Sequence, residues 1–334
     1  MHSVVQERRW CRLVSVPTIV TVGKATQDVF LRSSNEFAQF EHKGVQYESL
    51  PVGQKLALDD VIFSTGGNAT NAAVTFARQG LHSKYIWCLG TDIASEVILQ
   101  SLDKEGIDTA SVHQSGEYYS SYSAVLMLSG GERTIFNHKG MMPEGDSPDI
   151  DLSAMNGADW LYVSSLGDME LLERVVTYAV SQNVRIMFNP AGSELEESEK
   201  LKALLPDIDI LTLNKEEAQM VVEGDTLEEL ARRLRNYCDV VIVSDGPNGA
   251  TATDGKTIVH AGMYEDVPVV DRTGGGDAFG SGFLSQYSQG ASLKDAIIFA
   301  SANSTSVVQK IGAKEGILHR GVELHDMPLT EKEF

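Results

Sequence analysis

Cysteine is scarce in this chain: Cys11, Cys88 and Cys238 are the three among 334 residues. An odd number, widely spaced and without a C-x-x-C pair, supplies neither a disulfide framework nor a structural zinc site, and it suits reduced thiols in a cytosolic setting. Basic residues are in deficit too. Lys and Arg number 27 against 47 Asp and Glu, and the resulting formal charge of −20 disfavours nucleic acid or an anionic membrane surface as a partner. A local basic or N–H-lined pocket for an anionic substrate remains compatible with that charge. Long apolar runs are missing as well. Near the N-terminus Glu7, Arg8 and Arg9 precede a short apolar stretch broken by Ser15, Pro17 and Thr18, so neither a signal peptide nor a membrane span is expected, and the protein should be soluble and cytoplasmic. The eight histidines include no H-x-x-x-H pair that would put two zinc ligands on one helix face.

Two common nucleotide-binding patterns also fail. GATATDGKT, Gly249 to Thr257, imitates a P-loop but has one residue too many between its glycines, and TIVHAG follows it where a helix is required. A hairpin is expected there. The run at Gly274 misses G-x-G-x-x-G because Phe279 occupies the last position, which argues against a dinucleotide-binding Rossmann unit.

What is present is DRTGGGDAFGSGFL, Asp271 to Leu284. Apolar residues at helical spacing, Phe279, Phe283, Leu284 and Tyr287, place Gly274, Gly275 and Gly276 at a helix N-terminus, where free N–H groups attract anions. Asp277 then stands in the first turn. An anion site beside a carboxylate base is what transfer of a phosphoryl group to a hydroxyl requires, although a first-turn Asp is also an ordinary dipole partner.

Along the chain, Leu13 to Val22 reads as a first buried strand whose end reaches Asp28, a carboxylate where open α/β sheets bind ligands. Val29 to Ser64 has part period-two alternation and reads as exposed strands outside the main sheet. Tyr118–Leu128 and Arg133–Asn137, joined by Ser129 to Glu132, read as a hairpin of the same kind. GGNATNAAVTFARQG, Gly66 to Gly80, predicts a helix capped by Asn68 or its neighbour and stopped by Gly80. Further on, predicted strands Tyr85–Leu89, Trp160–Val163, Val184–Phe188, Ile208–Leu213 and Val240–Val243 alternate with predicted helices Ala94–Glu105, Met169–Gln182, Glu196–Leu204 and Glu216–Val222, the pattern of a doubly wound sheet. Leu293 to Val308 closes the pattern as an amphipathic helix.

DRTGGGDAFGSGFL resembles the C-terminal signature of the ribokinase-like (PfkB) carbohydrate kinases, usually D-T-x-G-A-G-D followed by small and apolar residues. Arg272 departs from that form. Gly66, Gly67, Asn71, Gly80 and Gly90 are spaced like the N-terminal signature of the same family. The resemblance implies an α/β fold, a ribokinase-like doubly wound, mostly parallel sheet flanked by helices, with a small β-sheet lid. It would be a single kinase domain over 1–334, its lid drawn from about 29–64 and 112–141. It further implies ATP and Mg²⁺ as cofactors, with Asp277 as base and Gly274 to Gly276 as anion hole. Asp28, Gly66, Gly67 and Asn71 would bind sugar hydroxyls. Asn214 and Glu217 match an N-x-x-E motif that helps place magnesium through water, though alone they read as a helix-cap pair. Ser244, Gly246 and Gly249 match the segment that lines the nucleotide, which alone reads as a turn. Asn303 matches a position near the adenine and alone reads as a solvated helix residue. Carbonyls of Asp271 and Thr273 match a monovalent-cation site, so K⁺ is a further expectation.

Arg133 and Lys139, on or beside the predicted hairpin, suit an anionic substrate or phosphate, or only solubility. The acceptor is then a small sugar with a primary hydroxyl, or in a second reading a nucleoside. A non-catalytic sugar-sensing protein is the alternative outside the enzyme class. Exposed lid edges point to a homodimer.

Overall fold

The computed structural model describes residues 16–33, 37–127, 133–141, 148–262, 264 and 267–334. The first strand, β1 (Thr18–Val22), is β-branched throughout, with Ile19, Val20 and Val22 fully shielded, as a parallel strand covered on both faces requires. After it come β2 (Thr26–Arg32), the hairpin β3 (Ala38–His42) and β4 (Val45–Ser49), β5 (Asp60–Gly66), α1 (Asn68–Arg78), β6 (His82–Ile86), β7 (Cys88–Leu89) and α2 (Ile93–Lys104). Then follow β8 (His113–Gln114), β9 (Ser121–Met127), β10 (Arg133–His138), β11 (Trp160–Ser164), α3 (Met169–Ser181), β12 (Arg185–Asn189), α4 (Ser193–Glu196), α5 (Ser198–Leu204) and β13 (Ile210–Asn214). The remaining elements are α6 (Lys215–Val221), α7 (Leu227–Leu234), β14 (Val240–Ser244), β15 (Ala250–Thr253), β16 (Thr257–Ala261), α8 (Gly275–Tyr287), α9 (Leu293–Val308) and β17 (Leu329–Glu333).

The large sheet has the order β17-β16-β15-β14-β13-β12-β11-β1-β6. From β14 to β6 neighbouring strands pair in parallel, and β15, β16 and β17 add an antiparallel edge. Helices cover both faces. Phe76, Phe279, Phe283 and Leu284 pack one side, while Ile98, Leu171, Val175, Leu201 and Leu230 pack the other. Because β6 and β11 flank β1 on opposite sides, successive crossovers diverge there, and the C-terminal ends of β1 and β11 open a crevice at this switch point.

A second sheet, ordered β10-β9-β2-β5, is mixed: β2 pairs with β9 in parallel and with β5 antiparallel, and β9 pairs antiparallel with β10. Its pleat puts Asp28 and Phe30 on one face with their register partners Ser123 and Val125. Phe30, Val125 and Met127 form a small core against Ile311.

Several expectations shift. The part of the predicted first strand before Val16 lies outside the described residues, as does the hairpin turn Ser129–Glu132. Asp28 does not end the first strand; the chain turns after Val22 and carries Asp28 inside β2. Residues Val29 and Phe30 of that strand are buried, not exposed as predicted, because α2 and the Ile311 region cover it. The expected Glu196–Leu204 helix is two helices, α4 and α5, meeting at Glu197. Tyr85–Leu89 breaks into β6 and β7 because Cys88 and Leu89 leave β1 to pair with His113 and Gln114. Of Asn68 and its neighbour, it is Gly67 that caps α1, at φ 99° with no side-chain cap bond, and a Cβ there would overlap the Lys24 carbonyl. The predicted hairpin over Gly249–Thr257 is β15 and β16. The short α7 was not anticipated, although Thr226 and Glu229 form a capping box. Among the described residues no helix is long and apolar enough to cross a membrane, and Cys88 and Cys238 are free and buried.

Candidate active site

The N-terminus of α8 is built on Gly274, which is left-handed at φ 77°. Among the described residues no side chain caps this end; the Gly275 N–H meets the Arg272 carbonyl at 3.4 Å, and the N–H groups that follow it in the first turn are left for an anion. The turn before it is tied down by Asp271, whose carboxylate is 1% exposed. Its Oδ1 accepts from the Thr273 N–H at 2.9 Å and the Thr273 hydroxyl at 2.7 Å, and its Oδ2 accepts from the Gly312 N–H at 3.0 Å. The Arg133 guanidinium stands 3.5 Å away. Arg272, the departure from the family pattern, is exposed and leaves these bonds intact.

Asp277 occupies the first turn of α8, buried, with Oδ2 accepting from the Asn71 amide at 2.8 Å. Loss of hydration raises its pKa to about 6; the Asn71 hydrogen bond and the Lys314 charge pull the other way. A carboxylate poised near 6 is ionised at neutral pH yet basic enough to take a hydroxyl proton. Asn71 Oδ1 is buried and has no partner among the described residues, which leaves an acceptor at the cavity wall.

Asp277 opens onto a cavity of about 760 Å³ at the switch point, within the size range of small-molecule sites. Across it lies Asp28, also buried and also raised, chiefly by desolvation and against hydrogen bonds from Ser123 and Thr26. Gly66 is required beside it because a Cβ there would overlap the Asp28 carboxylate. Gly66, Gly67, Asn68, Asn71, Ser123 and Asn137 continue the wall. Lys24 and Lys139 also line it, so the cavity carries cationic groups despite the acidic chain. Arg133 does not line this cavity; its guanidinium turns to Asp271 at the anion loop.

The predicted nucleotide-side residues are split. Asn214 and Ser244 are register partners at the ends of β13 and β14. Asn214 and Glu217 form a reciprocal capping box, with both bonds at 2.8 Å. This uses Asn214 Oδ1 and Glu217 Oε2 and leaves Glu217 Oε1 as a hard oxygen donor of the kind Mg²⁺ takes through water. Gly246 and Gly249 both have positive φ, and a Cβ on Gly249 would overlap the Ala261 carbonyl. Asn303 requires correction. It is fully buried, not solvated, and its amide donates to the Ala278 carbonyl at 2.8 Å and accepts from the Leu318 N–H at 2.9 Å, so it staples α9 to α8.

Two further residues had no sequence signal. Glu194, fully buried within an acidic ELEE run, accepts from the N–H groups of Leu166 and Gly167 at 2.7 and 2.8 Å and from the Ser165 hydroxyl at 2.7 Å, fixing the rim beyond β11. Lys314 is buried beside the anion loop with its ammonium on the Thr65 hydroxyl at 2.8 Å.

Comparison with known proteins places this geometry. A family described as pfkB family carbohydrate kinase matches residues 38–320. A ribokinase from Haemophilus influenzae is 25% identical over 282 residues, covering 82% of this chain and 90% of that protein. An aminoimidazole riboside kinase from Salmonella typhimurium is 30% identical over 271 residues, covering 74% and 83% respectively. Among solved structures, Arabidopsis thaliana ribokinase complexed with ribose and ATP superposes with a TM-score of 0.73 at 21% identity, over 92% of this chain and 97% of that one.

Proposed function

We propose that this chain, which belongs to the pfkB family of carbohydrate kinases, transfers the terminal phosphoryl group of ATP to a primary hydroxyl of a small sugar of the ribose, fructose or keto-deoxy-sugar type. The observation that carries the reading is the buried Asp277 carboxylate, set on an uncapped glycine turn and facing the same cavity as Asp28. In this reading Asp277 accepts the hydroxyl proton, the N–H groups at Gly274 to Gly276 meet charge on the moving phosphoryl, and Asp28, Asn71 and the Gly66–Gly67 turn orient the sugar. The sheet of β2, β5, β9 and β10 acts as a lid, excluding water so that the sugar receives the phosphoryl group. Glu217 would help hold Mg²⁺ through water, and the ion would supply positive charge against the phosphates of ATP.

A coupled ADP-release screen across pentoses, hexoses, keto-deoxy acids and nucleosides tests this. ADP release with none of them would sink the kinase assignment, and release with nucleosides alone would select the second reading, a nucleoside kinase, which the similarity to a riboside kinase favours. The exposed Phe63 and Phe136 of the lid sheet support a homodimer through that sheet.

Glu217→Gln is expected to raise the Mg²⁺ concentration needed for half-maximal turnover several-fold while sugar affinity stays put. An unchanged Mg²⁺ titration would reject a role for Glu217 beyond its cap. Turnover is also expected to be faster in potassium than in tetramethylammonium buffer, through the Asp271 and Thr273 carbonyls; equal rates would remove the monovalent cation from the reading.

A further inference from the structure

The cavity is divided by charge. At one end the Gly66–Gly67 turn leads into α1, whose Asn71 bonds Asp277, so the reacting end holds the carboxylates of Asp28 and Asp277. The other end holds two lysines, and the lid sheet sets the distance between the ends. Residues directly opposite on neighbouring strands share a face. Thr26 pairs with Gly66 on one side and with Ser121 on the other. The β9–β10 register continues through the Tyr119–Met141 bridge, which puts Lys139 opposite Ser121, on the face that Asn137 and Ile135 turn to the cavity. Gly66 and Lys139 therefore stand three strand spacings apart, about 14 Å.

Lys24 reaches the same end from the exit of β1. Its Nζ lies 3.3 Å from where a Cβ on Gly167 would be, so the ammonium rests on the turn after β11. That turn is fixed, because the buried Glu194 carboxylate holds the Leu166 and Gly167 N–H groups. Lys24 and Lys139 both line the cavity and are exposed. Among the described residues neither has a hydrogen bond or a carboxylate within 4 Å, and Glu196, which also lines the cavity, pairs with neither. In a chain of 47 acidic and 27 basic residues, solubility alone does not account for two unpaired ammonium groups converging on one cavity end. The partner that fits them is an anion from outside the chain.

A neutral sugar would use the oxygen acceptors of Asp28 and Asn71 and leave both ammonium groups bare. We propose that the acceptor is itself an anion, a sugar carrying a phosphate or a carboxylate on the carbon remote from the hydroxyl that is phosphorylated, with Lys24 and Lys139 as the subsite for that group. The proposal rests on the reading of this cavity as the acceptor site of a kinase. Lysine meets such a group as a point charge, and two of them can share the oxygens of one anion, which also relieves their mutual repulsion. The transfer itself is unchanged: the hydroxyl oxygen bonds the terminal phosphorus of ATP, the bond to ADP breaks, and the hydroxyl proton goes to Asp277.

ADP release is measured with neutral sugars beside charged counterparts that keep a primary hydroxyl: ribose with ribose 1-phosphate, fructose with fructose 6-phosphate, glucose with gluconate. In at least one pair kcat/KM should be about a hundredfold higher for the charged member, from two charge-assisted contacts of about tenfold each, and the advantage should shrink as ionic strength rises. The phosphate and carboxylate arms tell which anion the subsite takes. Lys24→Met and Lys139→Met, at exposed positions where the fold has little to lose, should each raise KM for the charged acceptor about tenfold with KM for ATP unmoved, narrowing the gap to the neutral sugar. Turnover confined to neutral sugars or nucleosides, equal turnover within every pair, or lysine variants that slow both members alike would overturn the anion subsite and leave the kinase reading standing. ADP release with no acceptor of any of these kinds would remove the kinase reading and the subsite together.

Discussion

Asp277→Asn is expected to lower kcat at least about a hundredfold, the lower range for a lost acid–base group, and to leave a protein more stable than the wild type at pH 8. The two effects have one cause. The carboxylate is buried and its pKa is raised from 3.8 to about 6. A group raised on folding contributes stability that is present below its unfolded value and is lost as pH climbs through its folded value. The wild type therefore loses stability between about pH 4 and 6. A displacement near two units corresponds to about 3 kcal/mol at most. Asparagine never ionises, keeps the size of the side chain and can still accept the Asn71 amide hydrogen bond through its carbonyl, so it escapes that loss. Its Tm should exceed that of the wild type at pH 8, with the gap closing towards pH 4. Turnover of the wild type should fall in acid with a midpoint near 6, where the base becomes protonated. A folded Asp277→Asn protein with substantial turnover would show that the hydroxyl proton goes elsewhere. A variant less stable by about 0.5–1 kcal/mol at every pH, the size of a dipole or capping loss, would mark Asp277 as structural.

The sequence made this residue findable because three constraints coincide in it: consecutive glycines, a helical apolar period and a carboxylate between them. The same kind of coincidence made α1 and its glycine turn legible. Residues whose role depends on meeting something remote in sequence were not legible. Asn71 lines the cavity, but the bond its amide donates to Asp277, 206 positions away, has no signal in the sequence. Asn303 sits on a readable helix, but the Leu318 N–H and Ala278 carbonyl that consume it come from a loop and a second helix. Asp28 reads from the sequence as the end of the first strand, because a switch of the chain into a second sheet four residues after Val22 leaves no mark in a pattern of β-branched residues. Lys314 had no pattern at all: a lysine between two glycines in a loop reads as solvated, and only the clamp by Arg78, Gln79 and Asp271 buries it. Of the second-sheet strands, β2 and β9 are more buried than their alternation predicts, because α2 and the Ile311 region that cover them are remote in sequence, while β5 and β10 are largely exposed as expected.

The glycines of the anion turn should separate under a single methyl group. Gly274→Ala is expected to lose both stability and turnover. At φ 77° an L side chain is strained, and the added Cβ would overlap the Ala313 side chain and lie 2.8 Å from its Cα. Left-handed strain of about 1–2 kcal/mol and an overpacking cost of about 1–3 kcal/mol act together. Relief requires the loop at Ala313 to back away, and that loop carries Lys314 and the Gly312 N–H bonded to Asp271. The donors at the helix start would then be misplaced, so kcat should fall about a hundred- to a thousandfold, the effect of a lost oxyanion donor. Gly276→Ala differs in each respect. Gly276 is exposed, helical and has no atom within 4 Å of an added Cβ. Alanine in place of a helical glycine should stabilise the fold by up to about 1 kcal/mol. If phosphates approach over this turn, the same methyl stands in their path, and kcat/KM for ATP should fall at least about tenfold in a protein with a raised Tm. Thermal unfolding and steady-state ADP release on the two variants read all four outcomes. Full activity in Gly276→Ala would mean that the phosphates do not cross the first turn of α8, and the anion hole would have to be sought away from the glycine run.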